Sequence, residues 1–322
     1  MTSLKPTLLA AAALGLAPLP GQAQAFPDKA ITFVVPFAAG TATDQIARAL
    51  GNGITAETKQ PVVIDNKAGA SGFIASQQVA KAPADGYTVL ITTNTTHAAN
   101  EHLFKKLPYD PVKDYAPVAA LGKGGQIMVV KPSFPAGSVA EFIALAKKEP
   151  GKYSFGSGSS SSRMAGELLQ QMAGIRLLHV PYKSNTLAVT DLLGGQIDMM
   201  ITDSATGLPQ VQAGKLRALG MSSAARSPLA PEVPTIAEAG VKGYEMGYWF
   251  AAYAPAKTPP AVVRRLNELL VKAAKSEAAK AAFYEPTGTE VFTSSPEELA
   301  KFQAAESQKW GRIVKAAGIE AE

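Results

Sequence analysis

At 322 residues, with 47% hydrophobic and 18% charged side chains, the chain has apolar material for two domains or one large one, and it cannot be disordered, collagenous or coiled-coil. The formal net charge is +5, but the basic residues are scattered singly rather than gathered in the stripe that a phosphate backbone requires, so nucleic acid is not an expected partner. Cysteine is absent, which removes disulfides, thiolate nucleophiles, Cys-ligated zinc and iron–sulfur clusters.

Residues 1–25 carry Lys5, an apolar run from Leu8 to Leu19 and then Ala23-Gln24-Ala25, the order of a cleavable secretory signal peptide, with the mature chain starting at Phe26. That run is too short to span a membrane, which takes about 20 apolar residues, and no other segment approaches that length. Without cysteine there is no lipid anchor, so the expectation is a protein free in the periplasm. From there, Ile31 to Pro36, Val62 to Asp65, Tyr87 to Thr92, Ile127 to Lys131, Ile197 to Thr202, Leu216 to Met221 and Trp249 to Ala254 read as strands separated by amphipathic helices. Continuous rather than alternating apolar strands predict an α/β chain with buried, largely parallel sheets. Thr41-x-x-Asp44, Ser138-x-x-Glu141 and Ser295-Pro296-Glu297-Glu298 are helix starts. The stripes Val263/Leu266/Leu270, Leu299/Phe302/Ile313/Val314 and Met164/Leu168/Met172 are predicted core faces. Gly122 to Gln126 and Tyr244 to Pro255 are where the chain is expected to cross between lobes.

No phosphate loop, dinucleotide-binding glycine pattern or zinc-protease motif is present, and His97, His102 and His179 show no ligand spacing, so neither metal nor cofactor is expected. The positive signals are two loops that open helices. Phe37-Ala38-Ala39-Gly40-Thr41-Ala42-Thr43-Asp44 offers small residues, a glycine and two hydroxyls at a helix N-terminus, where exposed N–H groups and the helix dipole make an anion site without Lys or Arg. An ordinary capped helix explains that loop equally well. Gly156 to Arg163 supplies Ser157, Ser159, Ser160, Ser161 and Ser162, and Arg163 in the first helical turn opposes the dipole, which a ligand anion or a structural ion pair would offset. Thr202, Asp203 and Ser204 follow a strand at its carboxyl end, where α/β folds gather ligands; Asp203 either holds a ligand group or caps the next helix.

These residues carry a resemblance. Ile31-Thr32-Phe33-Val34-Val35-Pro36-Phe37-Ala38-Ala39-Gly40 with Asp44, Asp65-Asn66-Lys67-Ala68-Gly69, His179-Val180-Pro181-Tyr182-Lys183, Asp191-Leu192-Leu193-Gly194-Gly195-Gln196 and Ala213-Gly214-Lys215-Leu216-Arg217-Ala218-Leu219 are similar, in order, to periplasmic solute-binding proteins of tripartite tricarboxylate transporters, the Bug family. The resemblance implies a two-lobed, type II periplasmic-binding (Venus flytrap) α/β fold, with lobe 1 from residues 26–124 plus 246–322 and lobe 2 from 125–245. It implies a monomer that holds a small carboxylate between its lobes and delivers it to a two-component membrane permease. It places ligand contacts at Phe37, Ala39, Gly40, Thr41, Ala42, Thr43 and Asp44, with Asn94 and Thr95 on the floor. Ser157, Ser159, Ser160, Ser161, Ser162, Arg163, Thr202, Asp203 and Ser204 face them.

Two positions depart from the family pattern. Thr41 stands where a second glycine is common, and Arg163 where a histidine is common. A planar, always-charged fork at Arg163 suits a second carboxylate, and Phe37, Trp249 and Phe250 are candidate cleft walls or core residues, so a dicarboxylate, and an aromatic one such as terephthalate, is the expected ligand. The chain reads as a carrier rather than an enzyme. A secreted α/β enzyme acting on a carboxylate and a ligand sensor feeding a signalling partner are the alternatives.

Overall fold

A computed structural model describes residues 26–316 and 318–321, so the leader expected at 1–25 lies outside the described residues. The apolar run Ile31–Val35 forms β1, buried because β2 (Val62–Asn66) and β3 (Thr88–Thr93) flank it in parallel. Parallel neighbours need long connections, and α1 (Ala42–Thr58) and α2 (Phe73–Ala80) supply them. β3 leads into a π turn, Thr95–Ala99, and a short α3 (Asn100–Leu103).

The next strand, β4 (Tyr115–Val130), has sixteen residues and serves two neighbourhoods. Its first part, Tyr115 to Gly125, pairs antiparallel with β9 (Gly247–Pro255), which pairs antiparallel with β3. From Gln126 onward it leaves β9 and pairs antiparallel with β7 (Met199–Asp203) and β8 (Arg217–Met221). β5 (Ser154–Ser157) lies parallel between β7 and the edge strand β6 (Leu178–Pro181). The strand order is β2-β1-β3-β9-β4-β7-β5-β6, with β8 on β4. The sheet is therefore mixed, not largely parallel as expected. Apolar runs report that both faces of a strand are covered, and the same runs serve the antiparallel strands β4, β7 and β9.

α4 (Val139–Lys148), α5 (Ser160–Ala173), α6 (Asn185–Gly194) and α7 (Ser204–Gln212) cover the part of the sheet that begins at Gln126. After β9 come α8 (Pro260–Ala274), a continuous helical run of α9 (Glu277–Ala279), Lys280–Tyr284 and α10 (Glu285–Thr287), and finally α11 (Pro296–Ala316). Ser295 and Glu298 exchange backbone N–H bonds of 2.8 and 3.1 Å, a reciprocal capping box, and Ser138 Oγ accepts from the Glu141 N–H at 3.2 Å. Thr41 makes no such side-chain cap. Val263, Leu266 and Leu270 are buried on α8, Leu299 and Val314 on α11, and Met164 and Leu168 on α5; Met172, expected on the same stripe, is 39% exposed at the far end of α5.

One apolar cluster serves each half, around Ile46 and Leu266 in the first and Leu192 and Met200 in the second. A third runs across both, joining Met164 and Leu168 of α5 to Leu103, Trp310 and Val314. On its margin, Ser160 Oγ donates to Asn100 Oδ1 at 2.8 Å, tying the first turn of α5 to α3. Among the described residues no helix is long and apolar enough to cross a membrane.

Candidate functional site

Residues at or just beyond the carboxyl ends of β1, β5 and β7 meet around one cavity, as in α/β sheets that gather ligands at strand ends. An inner cavity of about 30 Å³ lies between them, room for about two waters. Phe37, Thr41, Ala42, Thr43 and Thr93 line it from one side, and Gln126, Gly158, Ser159, Ser161, Asn185 and Asp203 from the other. Tyr248 and Phe250 of β9 complete the wall. An outer cavity of about 390 Å³ adjoins it, sharing Phe37, Gly158 and Ser159 and adding Ser157, Ser160, Arg163, His179 and Lys183.

The first helix start is built from within. Gly40 turns the chain at φ 81°, a left-handed conformation that glycine adopts freely, and Thr41 follows in extended conformation with its hydroxyl donating to Ala38 O at 2.7 Å. Asp44, expected to touch ligand, instead organises this loop. Its carboxylate accepts from the Gly40 N–H at 2.9 Å, from Arg48 Nε at 3.0 Å and from Asn66 Nδ2 at 3.1 Å, while Asn66 also donates to Phe37 O. Burial acts to raise the Asp44 pKa, but the bonds from Arg48, Gly40 and Asn66 outweigh it and the net shift is downward. Ala39 and Gly40 are exposed on the outside of the turn and do not line the inner cavity; Ala42 and Thr43, in the first turn of α1, do. With no side-chain cap at Thr41, the N–H groups of that first turn have no side-chain acceptor there.

The second helix start faces it. Ser159 caps α5, accepting from the Ser162 N–H at 3.2 Å, and sits 3.1 Å from Ser161 Oγ. Ser162 is withdrawn from both cavities because its hydroxyl donates to Ile201 O at 2.5 Å. Ser157 Oγ bonds His179 Nε2 at 2.7 Å in the outer cavity. Arg163 also opens on the outer cavity, with Nε 4.0 Å from Glu167 Oε1 and its side chain 20% exposed. Burial raises the Glu167 pKa, partly offset by the charge of Arg163.

Asp203 takes the capping option. Oδ1 accepts from the N–H and hydroxyl of Thr206 at 2.9 and 2.7 Å, and Oδ2 from Asn185 Nδ2 at 2.8 Å. Thr202 is buried behind it, and Ser204 turns its hydroxyl to Gly125 O at 3.1 Å, lining another cavity that shares Tyr248 with the inner one. Asn94 and Thr95 lie beneath the floor rather than on it, since the chain turns into its π segment after Thr93; Asn94 Nδ2 donates to Gly247 O at 3.2 Å. Trp249 belongs to the other face of β9, where its indole donates to Glu306 at 3.2 Å and stacks edge-on against Phe302, while its neighbours Tyr248 and Phe250 wall the cavity. Gly158 falls within the serine loop that the sequence marks, whereas Thr93, Gln126, Asn185 and Tyr248 are lining residues that the sequence does not single out. Their place in the cavity depends on how separate segments of the chain come together. Among the described residues no group of His, Cys, Asp or Glu is arranged to hold a metal ion.

A family model described as the tripartite tricarboxylate transporter family receptor matches residues 46–319. The chain belongs to that family. This receptor is 34% identical over 302 residues to protein BugT of Bordetella pertussis, covering 93% of this chain and 92% of that one. Among solved structures, R. palustris Rpa4515 with adipate aligns with a TM-score of 0.89 and 35% identity, covering 92% of the receptor and all of that chain. MatC from Rhodopseudomonas palustris with bound malate gives 0.85 and 30% identity over 90% of the receptor and all of that chain. The periplasmic binding protein BugD gives 0.88 and 31%, again covering 92% of the receptor and the whole of that chain. The receptor thus has the fold of periplasmic binding proteins and is a solute-binding member of a receptor family, not of an enzyme family.

Proposed function

We propose that the receptor captures a dicarboxylate between two lobes in the periplasm and delivers it to a two-component permease. The lobes would be 26–124 with 246–322, and 125–245, hinged where β4 changes partners and where the chain enters β9. One observation carries this reading: the first turns of α1 and α5, from opposite halves of the sheet, face a single cavity whose lining contains no Lys or Arg. Two sets of backbone donors and two helix dipoles favour an anion there, and each charge-assisted hydrogen bond contributes roughly 1.5 to 3 kcal/mol. The ligand bridges both halves and so stabilises their closed arrangement by contacts that the open one lacks.

In this reading the second carboxylate would lie in the outer cavity. Arg163 and Lys183 line it, and Phe37 borders both cavities, so a ligand running from one to the other passes an aromatic wall of Phe37 and Phe250. Adipate and malate in the two R. palustris relatives fit the same class of ligand. The aromatic wall favours a flat diacid such as terephthalate. A calorimetric panel of succinate, glutamate, citrate, the phthalate isomers and terephthalate tests this: dianions are expected to bind most tightly, and preference for a neutral or monoanionic ligand would overturn it. Arg163→Ala is expected to weaken a dianion more than the matching monoanion.

A further inference from the structure

From the geometry we infer that Asn185 is the positioning residue of the binding cavity, setting the donors on the α5 side. The inference rests on the reading that a carboxylate occupies that cavity. Asn185 stands at the first turn of α6, is 9% exposed and lines the cavity. Both ends of its amide are engaged. Oδ1 accepts from the Gly158 N–H at 3.0 Å, and Nδ2 donates to Asp203 Oδ2 at 2.8 Å.

Those two bonds fasten three segments to one another: the β5–α5 loop, the start of α6 and the end of β7. The loop and the start of α6 are also in backbone contact, because a Cβ added at Gly158 would lie 1.9 Å from the Ser184 carbonyl carbon and 2.1 Å from the Asn185 nitrogen. The loop therefore has no freedom to sink towards α6, and the Asn185 bond stops it from lifting away. Ser159 and Ser161, the residues that α5 turns to the cavity, follow directly from that fixed point. Asp203 is fixed by the same amide. With two bonds from Thr206, one from Asn185 and a longer one of 3.4 Å from Thr202 Oγ1, its four acceptor positions are filled, so it does not compete with the ligand for donors.

The decisive substitution is Asn185→Asp, which keeps the shape of the side chain but sets a carboxylate against the carboxylate of Asp203. Like charges in contact cannot both stay ionised without cost, so the pair takes up one proton as pH falls. For terephthalate and adipate, measured by calorimetry, the expected result is a loss of about tenfold or more in affinity at pH 7.5, recovering to within about threefold of the unaltered protein at pH 5.0. A purely structural lesion would not recover with acid. Equal losses at both pH values, or no loss at either, would overturn the inference. Asn185→Ala supplies a readout that needs no ligand: amide hydrogen exchange across residues 157–162 is expected to quicken at least tenfold while the protein remains folded by circular dichroism. Unchanged exchange there would overturn the positioning role even if carboxylates bind. Failure of the unaltered protein to bind any diacid would instead overturn the functional reading on which the affinity arm rests.

Discussion

His97 provides a sharp test of the packing beneath the cavity floor. It lies in the π turn that follows Thr93, has no exposed surface and stacks on Tyr253 of β9 with ring centroids 3.8 Å apart and planes at 19°. Nδ1 bonds Thr96 Oγ1 at 2.8 Å, and burial lowers the pKa from the ordinary 6.5 to about 3. The folded state thus holds fewer protons than the unfolded one between about pH 3 and 6.5. Stability from this group is fully present above pH 6.5 and is lost progressively as pH falls towards 3. At 1.36 kcal/mol per unit, the loss from pH 7 to pH 5 is about 2 kcal/mol, growing to about 5 kcal/mol at the acid limit. His97→Phe keeps a ring against Tyr253 and removes the titrating group. Urea unfolding of both proteins at pH 7.0 and 5.0 isolates the contribution, because every other titrating group is common to them. The gap in unfolding free energy between the two should shift by about 2 kcal/mol in favour of the variant at pH 5.0. Parallel behaviour at the two pH values would refute the argument, and so would an imidazole that titrates near 6.5 by NMR in the folded protein.

Three further outcomes follow from the site. Asp44→Asn removes the charge that holds Arg48 and the Gly40 N–H, and is expected to cost about 1 to 3 kcal/mol and to lower the melting temperature by several degrees; a change within about 1 °C would show that the loop does not depend on that carboxylate. Ser160→Ala and Asn100→Ala, combined in a double-mutant cycle, should show a coupling of about 1 kcal/mol, and small-angle scattering should find the ligand-free protein more open in either variant. Additive effects would mean the bond between α3 and α5 contributes nothing to holding the halves together. Gly158→Ala places its methyl group into the backbone at Ser184 and is expected to abolish soluble expression or to lower the melting temperature by more than about 10 °C, whereas Gly151→Ala, in the exposed turn before β5 where an added Cβ meets no neighbouring atom, should cost only the roughly 1 to 2 kcal/mol of holding alanine at φ 80°.

Much of the first half of the site was legible because its signals are local. The run into Pro36, the glycine at 40 and the helix start at 41–44 sit within one short segment, and Phe37 and Thr41 to Thr43 do line the cavity. What misled was the direction of individual side chains. Asp44 carries the residue type expected of a ligand contact, yet Asn66 and Arg48, distant or one turn away, draw its carboxylate inward. Trp249 and Phe250 are adjacent on a strand and so point to opposite faces, and only the pairing partner of β9 decides which faces the cavity. β5 and β6 escaped notice because Ser154–Ser157 and Leu178–Pro181 are four residues each and lack a continuous apolar run. Asn185 was silent for a related reason: its partners, Gly158 and Asp203, lie in other segments of the chain.

The change of partner within β4 has a consequence for how the chain is made. Every strand that pairs with β4 beyond Gln126 is encoded by residues 199–221, so that half of the sheet can assemble as soon as it is synthesised. The other half cannot. β3 and the first part of β4 meet only through β9, which is translated last but for the closing helices, and until it arrives both strands present bare hydrogen-bonding edges. Such long-range pairing slows folding and prolongs exposure to aggregation and proteolysis. A truncation between Met221 and Gly247 would therefore damage the N-terminal sheet most, although the missing residues lie at the opposite end of the chain.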